Sequence, residues 1–338
     1  MNPIWAFIKT TRPVNLLIII FTMVFMRLFV ENGLINHYSE GNPNDEGIYS
    51  FYQTSLVNFS ILVVIMVLLA ASGNLINDYF DVKVDRINKP ERITIGKTLK
   101  RRVAMISNHV MNGLAVSLGL YIGWKEGSMF YALVPPAIAS ALWFYSFYLK
   151  KTFILGNVLV ALVISIVPVW AVYPTFLTCI NPPTNLSQNL ASLPKVMIFT
   201  LLVLIIYSVQ AYAVSLIREV VKDAEDVEGD SAFGYRTLPI VYGYKSTQKI
   251  LVIFMGAWAA VLLYLSYLIM VENITNRGLV FIGLVVVPFV LALQCLIRKN
   301  IKKIHFKRAS FWLKVTLAGG LLFSITIHHL MGYIIYYF

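Results

Sequence analysis

Residues 55–85 read SLVNFSILVVIMVLLAASGNLINDYFDVKVD, an apolar run that ends in a cluster of acidic and amide side chains. The run is long enough to cross the roughly 30 Å of hydrocarbon in a bilayer as an α-helix. In the cluster, Asn77, Asp81 and Asp85 stand four residues apart. At 3.6 residues per turn these side chains fall within an arc of about 80°. The stretch therefore predicts a membrane-spanning helix with a row of oxygen ligands at one end.

The composition of the whole chain agrees with a membrane protein. Of its 338 residues, 58% are apolar and only 13% are charged, and the mean hydropathy is +0.73. Soluble domains carry about 25% charged residues. We predict an all-α membrane protein, a bundle of nine transmembrane helices. Its apolar windows are residues 14–31, 55–78, 103–124, 128–149, 152–173, 196–221, 249–271, 278–297 and 311–336.

The basic residues predict the orientation of the bundle, because cytoplasmic loops retain Lys and Arg. Of the 28 basic residues, 23 fall in segments that the nine spans place on one side. That side is predicted to be the cytoplasm. The net charge of +12 is spread over these juxtamembrane segments, which favours topology and contact with anionic membrane lipids over nucleic-acid binding. No protein partner is predicted, and the two cysteines lack metal-ligand spacing.

A second acidic cluster follows the sixth span, where residues 218–230 read REVVKDAEDVEGD. Glu219, Asp223, Asp226 and Asp230 follow a 4-3-4 spacing, which keeps them within about 60° of arc if the helix persists to its end. Gly229 is a candidate for ending that helix early. The other two carboxylates of the cluster, Glu225 and Glu228, point elsewhere and are expected to be solvated.

Carboxylates stacked on one helical face repel one another unless a cation neutralises them. Such hard oxygen ligands suit Mg²⁺, which keeps several waters and is commonly shared between one or two carboxylates and substrate phosphates. Either cluster alone would be read as an ordinary acidic loop beside the membrane. Two clusters that each follow a long apolar span predict instead a Mg²⁺-dependent clamp on a diphosphate.

At this point the motifs match a known family. The chain resembles UbiA-type intramembrane prenyltransferases over nearly its whole length, in the motif Asn77-Asp78-x-x-Asp81-x-x-x-Asp85 and in a second motif with Asp223, Asp226 and Asp230. The resemblance implies one domain over residues 1–338, with helices around a central cavity that the motifs cap. Supporting features are Arg12-Pro13, residues 86–92 (RINKPER), Tyr145-Ser146, Lys150, Gly156-Asn157, Thr237-Leu238-Pro239 and Gly243.

Within the family, residues 222–230 are most similar to geranylgeranylglycerol-phosphate geranylgeranyltransferases, although chlorophyll synthases carry a similar Val-Glu-Gly-Asp run. Residues 93–97, ITIGK, depart from a common family pattern. The resemblance implies transfer of a prenyl group, with geranylgeranyl as the preferred donor, from its diphosphate to a lipophilic acceptor. The preferred acceptor is the hydroxyl of geranylgeranylglycerol phosphate; the alternative is an aromatic acceptor of quinone or tetrapyrrole biosynthesis.

The hypothesis assigns each site residue a role. Asp81 and Asp226 are central to catalysis, with Lys150 touching the diphosphate and Tyr145 stabilising the allylic cation or the leaving group. Substrate-binding candidates are Asn77, Asp78, Arg92, Arg12, Lys150, Glu219, Tyr207 and Tyr212, the two last as lining of the prenyl tunnel. The predicted ligands of Mg²⁺ are Asn77, Asp81, Asp85, Asp223, Asp226 and Asp230.

Other polar residues within the spans leave two interpretations open, because such groups are costly in lipid and face a cavity or a neighbouring helix. Asn74, Gln210 and Asn157 either orient ligands or join helices. His328 and His329 are interpreted as structural. Two other classes of membrane protein fit the sequence less well than an enzyme does. A secondary transporter would place its carboxylates near the bilayer midplane, and a lipid-binding scaffold would not need two matched rows of carboxylates. The prediction is a multi-pass enzyme of a prokaryotic cytoplasmic or inner membrane.

Overall fold

The computed structural model describes residues 2–28, 55–180, 193–271 and 275–337. All regular elements in these ranges are helices, apart from an isolated bridge between Ile95 and Leu99. In chain order the helices are α1 Pro3–Thr10, α2 Pro13–Met26, α3 Leu56–Asn88, α4 Arg101–Lys125, α5 Met129–Phe147, α6 Leu155–Ile180, α7 Leu193–Glu225, α8 Val227–Ala232, α9 Leu238–Val271, α10 Thr275–Phe281, α11 Val287–Leu296 and α12 Lys303–Tyr337.

The predicted helical membrane bundle is confirmed. Eight described helical segments are long and apolar enough to cross a membrane, and the bent pair α1 and α2, which meet at 49°, would make a ninth. Arg12 forms the bend with a positive φ of 55°, and Pro13 starts α2 at a position where its missing N–H costs nothing. The predicted end of the first span, beyond residue 28, lies outside the described residues.

Several helices run further than the predicted windows. The α3 helix continues from residue 78 to Asn88, and α12 begins at Lys303 instead of residue 311. Hydropathy marks only the lipid-buried part of a helix, whereas these ends carry charged residues such as Asp81 and Lys303, which form ion pairs with other parts of the chain. The α10 and α11 helices are joined by a π-helical turn, Ile282–Val286, so the eighth predicted span is one helix with a local widening.

The bundle closes because each acidic helix packs against several others. The α3 helix packs on α2, α4, α5 and α6, while α7 packs on α6, α9 and α12; α12 returns to α2. Small residues permit close approach: a Cβ on Gly73 of α3 would lie 2.7 Å from Leu142 of α5. Trp170, fully buried, donates from Nε1 to the Leu62 carbonyl at 3.1 Å. This packing brings the ends of α3 and α7 together.

Candidate active site

The two acidic clusters line one cavity of about 740 Å³ at the ends of α3 and α7. We call this space the polar cavity. Both rows face it despite being more than 130 residues apart in the chain. The members of the predicted ligand set that line the polar cavity are Asn77, Asp81, Asp85, Asp223, Asp226 and Asp230.

In the first row, neighbouring side chains hold one another in place. Asn77 donates from Nδ2 to Oδ2 of Asp81 at 2.8 Å, as expected for residues one helical turn apart. Lys150, on the short turn Leu149–Lys151 after α5, forms an ion pair with Oδ1 of Asp81. The side chain of Lys150 is only 8% exposed, so this ammonium serves the cavity and not the membrane surface.

The second row does not lie on one helix: the early end that the sequence left open occurs, and it falls at Asp226, three residues before Gly229. The α7 helix ends at Glu225, Asp226 has φ −105° and ψ 7°, and α8 starts at Val227. The break is held by Asn88 at the end of α3. It donates from Nδ2 to the Asp226 carbonyl at 2.9 Å and accepts from the Gly229 N–H at 2.8 Å. A Cβ on Gly229 would lie 2.5 Å from the Asn88 amide, so a larger residue would push the motifs apart.

Lys89 and Asn157 contact carboxylates of the second row from other parts of the chain. Lys89 lies 2.5 Å from Oδ2 of Asp226. Asn157 of α6 donates to Oδ2 of Asp223 at 2.7 Å, a bond that both holds this carboxylate and joins α6 to α7. Lys89 and Asn88 were not among the predicted site residues. The signal was present, because Lys89 continues the four-residue spacing of Asn77, Asp81 and Asp85.

Asp78 and Glu219, the two carboxylates among the predicted substrate-binding residues, are paired with cations. Asp78 lies 2.5 Å from Arg12. Glu219 lies 2.6 Å from Lys222 and 3.5 Å from Arg218. These pairs stand beside the acidic rows, and their charges are already compensated, which distinguishes them from Asp85 and Asp230.

The expectation that Glu225 is solvated is wrong: its Oε1 is buried without a hydrogen-bond partner among the described residues. The spacing places Glu225 off the face of the second row, but only the packing of neighbouring elements decides whether that other face is buried. Glu228 is solvent-exposed as expected and lies 3.5 Å from Lys303.

A second, mainly apolar cavity of about 260 Å³ adjoins the polar cavity and extends between the helices. We call it the apolar chamber. Its deeper wall includes Leu69, Ile138 and Val163, from α3, α5 and α6. The residues that line both spaces, which we call the neck, are Arg12, Asn15, Asn77, Tyr145, Arg218, Glu219, Lys222 and Lys314. Tyr145 is thus placed where a polar head and an apolar chain would meet.

The tyrosines predicted to line a tunnel lie elsewhere. Neither the polar cavity nor the apolar chamber has Tyr207 or Tyr212 in its described lining. Tyr207 instead donates to the Gly320 carbonyl at 3.3 Å and so joins α7 to α12. The residues of α7 that line the chamber are Ser215, Arg218, Glu219 and Lys222, and sequence periodicity alone could not show that this face of α7 borders it.

The side-chain amides of Asn74 and Gln210 each form a hydrogen bond to another part of the chain. Asn74 donates to the Thr11 carbonyl at 3.0 Å, and Gln210 accepts from Trp258 Nε1 at 2.8 Å. The predictions for the side chains of Arg92, His328 and His329 lie outside the described part of the structure.

The residues of the polar cavity fit a magnesium ion that is shared with a phosphate ligand. Its donors are carboxylate and amide oxygens, the type that Mg²⁺ prefers. Oδ1 of Asn77 and Oδ1 of Asp226 are buried and have no hydrogen-bond partner among the described residues. Within those residues no three acidic, histidine or cysteine side chains already form a metal cluster.

The raised pKa of the Asp230 carboxyl predicts that cation binding in the polar cavity depends on pH. Burial, followed by the charges of Asp223 and Asp226, raises the pKa of the Asp230 carboxyl to about 8. At neutral pH this carboxyl therefore holds its proton in the metal-free protein, and a bound cation must displace it. We expect the Mg²⁺ affinity to rise with pH up to about pH 8, with proton release measurable below that value in weakly buffered detergent solution. Above the raised pKa the site is already ionised.

The Asp230→Asn variant tests this assignment. We expect it to release fewer protons than the wild type on Mg²⁺ binding between about pH 7 and about pH 8. Glu228→Gln, a change two residues away at a 67% exposed side chain, should leave proton release unchanged. Equal release from Asp230→Asn and the wild type would contradict the assignment.

A helical membrane bundle that encloses a carboxylate-lined cavity beside an apolar chamber defines an integral membrane enzyme for an amphipathic, anionic substrate. The chain belongs to the UbiA prenyltransferase family, whose model matches residues 49–325. It is therefore a prenyltransferase, and the resemblance seen in its motifs is confirmed.

Curated relatives named digeranylgeranylglyceryl phosphate synthase support this placement. The protein of Methanothermobacter thermautotrophicus is 29% identical over 257 residues, which cover 75% of this chain and 72% of that protein. The protein of Methanopyrus kandleri is 33% identical over 206 residues, 61% of this chain and 65% of that protein. The protein of Korarchaeum cryptofilum is 27% identical over 325 residues, 95% of this chain and 96% of that protein.

Solved structures share the fold. One described as a digeranylgeranylglyceryl phosphate synthase in membranes superposes with a TM-score of 0.59 at 20% identity and covers 96% of this chain and 100% of that chain. A UbiA homolog from Archaeoglobus fulgidus, described as bound to GPP and Mg²⁺, gives 0.53 at 13% identity, with 95% and 99% covered. At these identities the likeness concerns the arrangement of helices.

Proposed function

We propose that this prenyltransferase moves a geranylgeranyl group from its diphosphate to the free hydroxyl of geranylgeranylglyceryl phosphate, in a reaction that requires Mg²⁺. The observation that carries the proposal is that two acidic rows line one cavity and that this cavity narrows into an apolar chamber. The curated relatives named digeranylgeranylglyceryl phosphate synthase support the choice of acceptor. The chain is proposed to act as one domain over residues 1–338.

The acidic rows are proposed to hold the metal and, with it, the donor diphosphate. The residues assigned to this task are Asn77, Asp81 and Asp85 from α3, and Asp223, Asp226 and Asp230 from α7 and α8. When bound, Mg²⁺ would supply positive charge for the departing diphosphate oxygens. Asn157 fixes the Asp223 carboxylate, and Asn88 holds the backbone at Asp226, so the ligands are oriented before substrate arrives.

Lys150 and Lys89 are proposed to bind diphosphate oxygens. Each lies against a carboxylate of the rows, Asp81 and Asp226 respectively. An ammonium near the departing oxygens stabilises the charge that develops as the allylic C–O bond breaks. Arg92 is retained as a third candidate cation for the same role.

The apolar chamber is proposed to take the prenyl chain, with its allylic carbon in the neck. Tyr145 lines both spaces, so its ring is placed to stabilise positive charge on the allylic carbon as the diphosphate leaves. The apolar walls exclude water, which would otherwise compete with the acceptor hydroxyl for that carbon. The predicted orientation puts the polar cavity on the cytoplasmic face.

An acceptor screen tests the function. With geranylgeranyl diphosphate and Mg²⁺, the purified protein in nanodiscs is expected to alkylate geranylgeranylglyceryl phosphate and to leave hydroxybenzoate and dihydroxynaphthoate unchanged. Removal of Mg²⁺ by chelation should stop the transfer. Product formation is followed by mass spectrometry. Transfer only to an aromatic acceptor would overturn the acceptor, whereas transfer that survives full chelation would overturn the metal-dependent mechanism.

A further inference from the structure

Basic side chains outnumber carboxylates among the described residues of the neck. Its cationic side chains are Arg12, Arg218, Lys222 and Lys314, and Glu219 is the one carboxylate among the described residues that line both spaces. Arg12 is paired with Asp78, while Glu219 is shared between Arg218 and Lys222. Two cations that share one carboxylate in a confined space, as Arg218 and Lys222 do, are unfavourable unless a further anion joins them. The neck is therefore prepared for an anionic ligand.

The basic side chains of the neck are distinct from Lys89 and Lys150, the two lysines that pair with carboxylates of the acidic rows. Lys89 and Lys150 line the polar cavity and are absent from the described lining of the apolar chamber, and each has a carboxylate of the rows as its partner. Arg218, Lys222 and Lys314 line both spaces. The molecule thus has two differently built anion environments: carboxylates with lysines in the polar cavity, and basic side chains with a single carboxylate in the neck.

Two buried hydrogen-bonding groups in the neck and beside it have no partner among the described residues. Nε of Arg218 is buried and has no hydrogen-bond partner among the described residues, and the same holds for Oγ of Ser215, which lines the apolar chamber. Ser215, Arg218 and Lys222 are spaced three and four residues apart, so they share one face of α7. A buried guanidinium donor without a partner is costly, and a phosphate oxygen would satisfy it.

The chemistry of the proposed acceptor calls for such a second site. Glycerol has three carbons, so its reacting hydroxyl cannot lie far from its phosphate. If that hydroxyl reaches the allylic carbon in the neck, the acceptor phosphate must lie beside the reaction centre while the donor diphosphate occupies the acidic rows. Two phosphate groups so close together repel each other unless each has its own positive partners.

We propose that Arg218, Lys222 and Lys314 form the subsite for the phosphate of the acceptor, and that this subsite selects a phosphate-bearing acceptor. The inference rests on the proposed function, because it concerns the same reaction. Arg218 offers a planar guanidinium suited to phosphate oxygens. Lys222 and Lys314 contribute charge from α7 and α12, and the selected acceptor then has its hydroxyl directed toward Tyr145.

The test compares two acceptors and two anion-site variants. Arg218→Gln and Lys314→Gln are each expected to raise the KM for geranylgeranylglyceryl phosphate by about 10- to 100-fold. The KM for geranylgeranyl diphosphate should stay near that of the wild type. With geranylgeranylglycerol, which lacks the phosphate, the variants and the wild type should react equally slowly. Arg218→Lys should recover part of the affinity, and Lys303→Gln, at an exposed lysine of α12, is the control.

A direct binding measurement separates failure of this inference from failure of the proposed function. Glycerol phosphate is titrated into the wild-type protein and into Arg218→Gln, and binding is measured by calorimetry. The expected result is binding by the wild type and loss in the variant, whichever acceptor is turned over. If the wild type alkylates geranylgeranylglyceryl phosphate, both variants keep its KM, and Arg218→Gln binds glycerol phosphate as the wild type does, the subsite is overturned while the function stands. A raised KM for the donor instead of the acceptor would overturn it as well.

Discussion

Asp81→Ala is expected to lower the rate of prenyl transfer by at least about 10²-fold, the loss seen when one group that stabilises developing charge is removed. Asp81 is the most connected carboxylate of the first row, since it accepts from Asn77 and pairs with Lys150. Its loss removes a proposed metal ligand and leaves the Lys150 ammonium without its partner. The measurement is kcat with saturating geranylgeranyl diphosphate and Mg²⁺, together with the affinity for Mg²⁺.

The Asp81 result needs a control for folding. Removing one member of a buried ion pair destabilises a protein because the other charge stays buried, and Lys150 is only 8% exposed. The double variant Asp81→Ala with Lys150→Met removes both charges and should recover thermal stability without recovering transfer. Recovery of activity in the double variant would show that Asp81 serves only to neutralise the lysine.

Asp226→Ala is expected to have an effect of similar size, for a different structural reason. Asp226 stands at the break between α7 and α8, where Asn88 holds its carbonyl and Lys89 lies against its carboxylate. The substitution keeps the backbone bond to Asn88 and deletes only the carboxylate. We therefore expect transfer to fall by about 10²- to 10³-fold while the protein remains inserted and folded, as measured by kcat and by thermal melting in detergent.

Glu228→Ala is the matched control for Asp226→Ala. It removes a carboxylate of the same motif, two residues further along, that is 67% exposed and lies 3.5 Å from Lys303. An exposed pair of this kind contributes little to stability, so both activity and melting temperature should stay close to the wild-type values. Wild-type turnover in Asp226→Ala would refute the assignment of the second row.

Hydropathy and spacing were sufficient for much of the architecture and for the acidic rows. A run such as residues 55–78 is helical in a membrane because every backbone N–H and C=O must be satisfied within the segment. The four-residue spacing of Asn77, Asp81 and Asp85 then decides their common face, since helical periodicity is local. Both properties depend only on neighbouring residues, so a single sequence contains them.

The cations of the site depend on helix packing and could not be derived in the same way. Lys89 and Lys150 belong to turns after α3 and α5, and only the packing of those helices places them against Asp226 and Asp81. Similarly, the side of α7 that faces the apolar chamber depends on how α7 packs against α6, α9 and α12. Tyr207 was assigned to the chamber because it lies near the second motif, yet it bonds to Gly320 of α12.

The sequence by itself determined that the chain is a helical membrane protein with two rows of carboxylates at the ends of two helices, because hydropathy and helical period are properties of adjacent residues. Only the tertiary structure decided that the second row breaks at Asp226, that Asn88 holds this break, and that Arg218, Lys222 and Lys314 meet in the neck. These contacts join residues far apart in the chain, and their distances follow from how whole helices pack.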